Sequence, residues 1–278
     1  MACPSEKAGL LGCNPARGFP GRAVLSEDQP LFAGSLSFGE GRIKGEFMAT
    51  DSVQFSRTLD IFSRSVVFQG VSKSELQDIA GQTSWEQVAK GEYVFKAGTP
   101  CTTFHLVLKG LIKTSVSSIS GTKITYLLSG PGEPLNLIGP FTGKPRLLEA
   151  QAIQNSVVGS IPRQEFMAFV LDHTQVITNV INTLGLAIDS ANNRVIDLLE
   201  KKVDQRLYKV LYTLYLKFGP RLNFTSKELA DLGGTTVEST LRSMHTLRKL
   251  GLIQTRRGHI HILKPEELKR YEDDVLWV

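Results

Sequence analysis

Between Ser226 and Leu263 the hydrophobic pattern changes period repeatedly over a short span, and few folds accommodate that order. Ser226 opens a helical run carrying Glu228, Leu229, Ala230 and Leu232. Gly233-Gly234 interrupts it, because glycine supplies the backbone freedom of a tight inter-helix turn. A second helix opens at Thr235 or Thr236, where Thr235-x-x-Glu238 has the form of a capping box. Leu241, Met244, Leu247 and Leu250 are expected on its buried face, and Gly251 suits its C-terminal stop. Leu252–Thr255, Arg256-Arg257-Gly258 and His259–Leu263 then read as strand, basic turn and strand. Upstream, Asp204–Phe218 has amphipathic spacing through Leu207, Val210, Leu211, Leu214 and Tyr215, and Leu222–Thr225 reads as a short strand. Helix, turn, helix and basic hairpin is the order of a winged helix-turn-helix.

That order carries a chemistry. A recognition helix places the residues of its first turns against base edges in the major groove. Here those are Thr235, Thr236, Val237, Glu238, Ser239 and Arg242. Arg242 suits bidentate pairing with guanine, Glu238 can accept from cytosine N4 or orient Arg242, and Val237 suits a thymine methyl. Ser226, Lys227, Arg256 and Arg257 fit phosphate contacts, which position without specifying. The competing reading of Glu238 and Arg242 is a solvated i,i+4 ion pair. Charge agrees with the first reading: from Lys201 onward there are 15 Lys/Arg against 9 Asp/Glu, while the preceding residues hold 17 against 18. Concentrated positive charge suits double-stranded DNA through counterion release.

A second regular feature lies just upstream. Ile177, Ile181, Leu184, Ile188, Ala191, Val195 and Leu198 recur at alternating spacings of four and three. Such a seam packs on a partner helix, either the same helix of a second subunit in a homodimer or the chain's own domain. Further upstream, Leu59–Ala80 reads as helical, with Ser72-x-x-Glu75 as a capping box. Val88–Phe95, Phe104–Leu108, Leu111–Val116 and Ile124–Leu128 read as short strands broken by glycines, the pattern of an antiparallel sandwich or roll. Residues 1–50 are rich in Gly, Pro and Ser without sustained period, which predicts a disordered extension; a true start at Met48 is the alternative.

The rest of the sequence excludes more than it adds. No apolar run is long enough to span a bilayer and no secretory signal opens the chain, so no membrane partner is expected and the location reads as cytoplasmic. Cys3, Cys13 and Cys101 form no paired framework. There is no HExxH, GxSxG or Walker loop, so no catalytic residues are assigned and the chain does not read as an enzyme. His259-x-His261 lacks a nearby third ligand, and no metal is assigned.

The segment from Phe224-Thr225-Ser226-Lys227-Glu228-Leu229-Ala230-Asp231 through Thr240-Leu241-Arg242 to Leu250-Gly251-Leu252-Ile253 resembles the DNA-binding domain of the cyclic-AMP receptor protein and fumarate-nitrate regulator family. Gly91–Phe95, Gly98 and Phe104–Gly110 resemble that family's cyclic-nucleotide-binding β-roll. The resemblance covers residues 59 to 270. It implies an α+β chain with an N-terminal antiparallel β-roll over 59–170, a long dimerisation helix over 171–200 and a C-terminal winged helix-turn-helix over 201–270. It also implies a homodimer on a pseudo-palindromic site, contact with RNA polymerase and a small-molecule effector. Two departures stand out. Val237 replaces the arginine that often precedes the family's glutamate, here Glu238. In the phosphate-binding cassette, Asn136-Leu137 replaces Gly-Glu, and Leu147-Leu148 follows Arg146 where Ser-Ala is usual. Losing a carboxylate and a hydroxyl removes charged hydrogen bonds of ~1.5–3 kcal/mol each, so cyclic AMP is not the expected ligand of an effector site at Asn136, Leu137, Arg146 and Leu147. The alternative is a cyclic-nucleotide sensor using Arg146 with altered contacts. An iron–sulfur sensor needs more cysteines than the chain has, and Cys101 and His105 read as packing residues rather than haem ligands, so no cofactor is assigned.

Overall fold

A computed structural model describes residues 50–117, 123–256 and 258–270. The expected N-terminal extension, the alternative start at Met48, Cys3, Cys13 and Arg257 lie outside the described residues, apart from Thr50 at the extension's edge. The ordered unit begins with α1 (Thr50–Arg64), a 3-10 turn at Val66–Phe68 and α2 (Lys73–Gly81). The region read as one helical pattern is therefore two helices, because Ser65 caps the intervening turn and Ser72 restarts the chain. The Ser72/Glu75 box forms in both directions, satisfying two otherwise orphaned amides.

Eight strands then build the roll: β1 (Ser84–Val88), β2 (Tyr93–Phe95), β3 (Thr103–Lys109), β4 (Ile112–Ser117), β5 (Lys123–Ser129), β6 (Pro134–Leu135), β7 (Glu149–Ala152) and β8 (Ser156–Pro162). The short helix α3 (Gly139–Thr142) separates β6 from β7. Two antiparallel four-stranded sheets result, in the orders β1-β8-β3-β6 and β2-β7-β4-β5. Their alternating inner residues close a small core of Val88, Phe95, Val107, Ile112, Leu135 and Val158. The other face of the first sheet, through Phe104, Leu106 and Ile161, packs on α1, α2, α4 (Arg163–Asp172) and the start of α5 (Thr174–Glu200). Phe104 and Phe166 stack there with ring centroids 3.9 Å apart.

The C-terminal part comprises α6 (Val203–Phe218), β9 (Arg221–Leu222), α7 (Ser226–Gly233), α8 (Val237–Lys249), β10 (Ile253–Arg256), β11 (His259–Ile262) and α9 (Pro265–Lys269). The expected strand over Leu222–Thr225 shrinks to Arg221–Leu222, since Thr225 is taken as the N-cap of α7 in a capping box with Glu228. β9 pairs with β11, and β11 with β10, so the wing is a three-stranded antiparallel sheet. Its core of Leu207, Leu211, Leu229, Leu247 and Ile260 also takes in Leu111 and Leu128 from the roll. None of the described helices is long and apolar enough to cross a membrane.

Candidate nucleic-acid interface and control site

The reading helix α8 is set by what surrounds it. Gly234 holds the turn after α7 at φ +59, a left-handed conformation costly for other residues, and a Cβ there would lie 2.9 Å from Leu198. Thr236 caps α8 by accepting from the Ser239 amide at 3.1 Å. The Thr235/Glu238 capping box does not form: the helix starts one residue later, which puts Glu238 in the second helical position instead of the third. Glu238 instead accepts from Arg242 at 3.2 Å, and both side chains are exposed.

The buried face of α8 also differs from expectation. Met244 and Leu247 point inward as expected, but Leu241 and Leu250 do not; Leu241 is 53% exposed. Thr240 and Ser243 take the inner positions. The cause is polar: Ser243 bonds to Asp204 of α6, and Thr240 returns its hydroxyl to the Thr236 carbonyl at 3.0 Å. Those bonds rotate the helix so that Val237, Glu238, Leu241, Arg242 and His245 share the exposed arc.

The remaining predicted contacts divide. Ser226 is half-buried at the first position of α7, and Arg256 is exposed at the end of β10. Lys227 is exposed but lies 2.5 Å from the carboxylate of Asp231, so its charge is shared before any phosphate arrives. His259, read as a poor metal ligand, has Nδ1 2.6 Å from Asn223 Oδ1, a bond that fixes the wing to the loop before α7.

Sequence reasoning missed the joint beneath the reading unit. Lys209 is 1% exposed and lies 2.7 Å from Asp197, which also meets Lys201 at 3.0 Å. Arg194 bonds to the Leu232 carbonyl, and Arg206 reaches the Gly233 and Gly234 carbonyls at 3.1 and 3.3 Å. These cations face the C-terminal carbonyls of α7, the end that favours positive charge. Burial holds Arg194 down to about 10. Lys113 of β4 meets Asp231 at 3.7 Å and Lys217 of α6 meets Glu133 at 2.8 Å, tying roll to reading unit. Only Asp197–Lys201 had a local signature, an i,i+4 spacing.

On α5 the heptad seam splits. Ile177 and Leu184 pack partly on the roll's helical core, beside the buried Val176 and Val180. Ile181, Ile188, Val195 and Leu198 are exposed, and Ala191 is half-buried. Ile181, Ile188 and Val195 recur every seven residues, about a quarter-turn around the helix from Val176 and Val180.

The predicted effector residues fall inside or at the rim of the roll. Leu137, standing where the family's carboxylate would be, is a buried core residue, and Asn136 adopts φ +51 and aims Nδ2 at Cys101 Sγ, 3.8 Å away. Leu147 is 77% exposed. Arg146 is only 4% exposed: Nη2 donates to the Thr103 carbonyl and Oγ1 at 3.3 and 3.2 Å, and the guanidinium lies 4.0 Å from the Phe95 ring centroid. Thr103 Oγ1 is also 3.3 Å from His105 Nε2. The hydroxyl, with a second lone pair and its own proton, can either accept from Nε2 or donate to it, according to the tautomer of the imidazole. His105 Nδ1 and Arg146 Nη1 are both buried with no hydrogen-bond partner among the described residues. Burial, and then the charge of Arg146, pushes His105 down to about 3. A cleft of about 300 Å³ opens nearby, lined by Cys101, Thr102, Gly143 and the start of α4 at Pro162–Gln164.

Comparison with known proteins follows this division. Residues 85–173 match the cyclic nucleotide-binding domain model, and residues 205–271 match the Crp-like helix-turn-helix domain model. A CRP-like cAMP-activated global transcriptional regulator of Mycobacterium tuberculosis is 23% identical over 219 residues, covering 76% of this chain and 98% of that protein. The cyclic AMP receptor protein of Thermus thermophilus is 24% identical, covering 71% and 92%. The structure of FixK2 from Bradyrhizobium japonicum shares the fold with a TM-score of 0.63 at 16% identity, covering 69% of this chain and 98% of that one.

Proposed function

The chain is a helix-turn-helix transcription regulator of the cyclic-AMP receptor protein and fumarate-nitrate regulator family, and from that premise we propose that it works as a homodimer whose two α8 helices read the halves of a pseudo-palindromic site. The observation that carries this reading is the exposed arc of α8, which presents Val237, Glu238 and Arg242 next to a helix N-terminus capped by Thr236. Thr235 and Ser239 flank that arc half-buried, and Ser226, Lys227 and Arg256 supply phosphate contacts around it. The Glu238–Arg242 bond supports the orienting role, since a guanidinium held by its neighbour loses less freedom on meeting guanine. Pairing of subunits rests on the exposed strip Ile181, Ile188 and Val195, apolar surface that a second α5 covers.

The control signal is a small molecule other than cyclic AMP, taken inside the roll at Arg146. Leu137 offers no carboxylate for a ribose hydroxyl and Leu147 no hydroxyl for a phosphate. The buried donor Arg146 Nη1, unpartnered among the described residues, calls for an acceptor-bearing effector. The matched relatives are regulators, and this chain is assigned no catalytic step. It acts in the cytoplasm with RNA polymerase as its further partner. The test is Arg242→Ala measured by binding to a randomised duplex library. A guanine preference lost at one position of each half-site, with a weakening of about ten- to a hundredfold, is the expected result; unchanged affinity and preference would remove α8 from base reading.

A further inference from the structure

Cys101, just ahead of β3, is buried, yet its surroundings are polar. Among the described residues it joins none of the apolar clusters that form the cores. Its sulfur donates to the Thr103 carbonyl at 3.9 Å and accepts from Asn136 Nδ2 at 3.8 Å. The same carbonyl accepts from Arg146 Nη2 at 3.3 Å, so thiol and guanidinium meet on one oxygen. Two backbone features hold this grouping. Asn136, at φ +51, is the only left-handed residue other than glycine among the described residues. A Cβ on Gly139 would lie 2.3 Å from Asn136 Nδ2 and 2.6 Å from Cys101 Sγ, so glycine leaves room for the pair. Arg146 is an independent sign that a group is received here: it is more than nine-tenths buried, and Nη1 has no partner among the described residues. Cys101 also forms part of the wall of the cleft of about 300 Å³, which gives a small solute a route to the sulfur.

We propose that Cys101 is a modification site, oxidised by hydrogen peroxide to a sulfenic acid whose oxygen is held by Arg146 and Asn136. The attacking species is the thiolate. An S–O bond forms as the O–O bond breaks, so sulfur is oxidised and the peroxide reduced. The leaving hydroxide recovers the proton that the thiol released and departs as water; one thiol and one peroxide give one sulfenic acid and one water. Negative charge moves from sulfur to the leaving oxygen in that step, and the guanidinium and the amide are the donors that meet it. The oxygen left on sulfur is an acceptor for Arg146 Nη1. Cys101 is the only cysteine among the described residues, so no thiol beside it there converts the product to a disulfide. The inference shares Arg146 with the effector reading but needs neither an effector nor DNA, and its failure leaves that reading to the nucleotide titrations.

The experiment exposes the full chain to hydrogen peroxide, native and in urea, and stops the reaction with catalase. Remaining thiol is alkylated in denaturant, and the mass of the Cys101 peptide is read against time. Burial alone would make Cys101 slower in the native protein than in the unfolded chain. The expected result is the reverse. Native Cys101 gains one oxygen about tenfold faster than in urea, the effect on a rate of one charge-assisted hydrogen bond. Arg146→Met brings the native rate down to that of the unfolded chain or below it. Asn136→Gly, which suits the left-handed backbone and removes only the amide, slows it by a smaller factor. A native rate at or below the rate in urea overturns the proposal. So does an unchanged rate in Arg146→Met, or a disulfide in place of the added oxygen.

Discussion

The joint beneath the reading unit and the interior of the roll both bury cations, but they treat them differently. At the joint, Asp197 supplies a carboxylate to Lys209 and Lys201, and helix-end carbonyls take Arg194 and Arg206. In the roll, Arg146 has a threonine, an aromatic ring and a neutral histidine around it. A buried charge matched by its own chain fixes geometry: it clamps α5 and α6 to the turn that launches α8. On the proposed reading, the donor left over at Arg146 is completed by a ligand. On that reading the joint is the part that must hold still and the roll the part that receives a signal.

Three substitutions test this contrast. Asp197→Ala has the largest effect, because it strands Lys209 in the interior; urea denaturation should show a loss of about 3–5 kcal/mol. A loss near zero would mean that the joint does not depend on its ion pair. Next is the pH response of His105. Its unfolded pKa is about 6.5 and its folded value about 3. Between those values the unfolded chain binds a proton that the folded chain refuses, so stability is full above about pH 6.5 and falls as pH drops toward 3. From pH 7 to pH 5 that amounts to about 2 kcal/mol, and His105→Phe should remove this share of the difference. The smallest effect is Arg146→Met, expected to change stability by less than about 1 kcal/mol in either direction, since lost hydrogen bonds are offset by relief of a buried charge. A loss as large as that of Asp197→Ala would erase the distinction between the two regions.

What could be read from the sequence was what local chemistry decides. The Ser72/Glu75 box, the Gly234 turn and the stop at Gly251 each depend on a few adjacent residues, and all appear where their spacing placed them. Strands β7 and β8 carried no clear signal, although β8 is a central strand pairing with both β1 and β3. Its Gly159 and Ser160 interrupt the apolar run, and its place depends on partners far away in the sequence, in β1 and β3. The rotation of α8 was hidden for a related reason. Apolar periodicity favours Leu241 inward, but Asp204, far earlier in the chain, selects Ser243. The polar centre at Arg146 was half legible. Substitutions around the arginine marked it as altered, whereas Thr103 and His105 joined it only through the pairing of β3 into the sheet.

The central proposal is that the reading unit is intact while the roll does not answer to cyclic AMP. Fluorescence anisotropy of the full chain on its selected duplex, repeated across cyclic AMP and cyclic GMP from micromolar to millimolar, tests both halves together. The account predicts tight, sequence-selective binding whose affinity stays constant within about twofold at every nucleotide concentration, where a coupled effector typically changes it five- to 150-fold. A tenfold change in DNA affinity at micromolar cyclic AMP would contradict it.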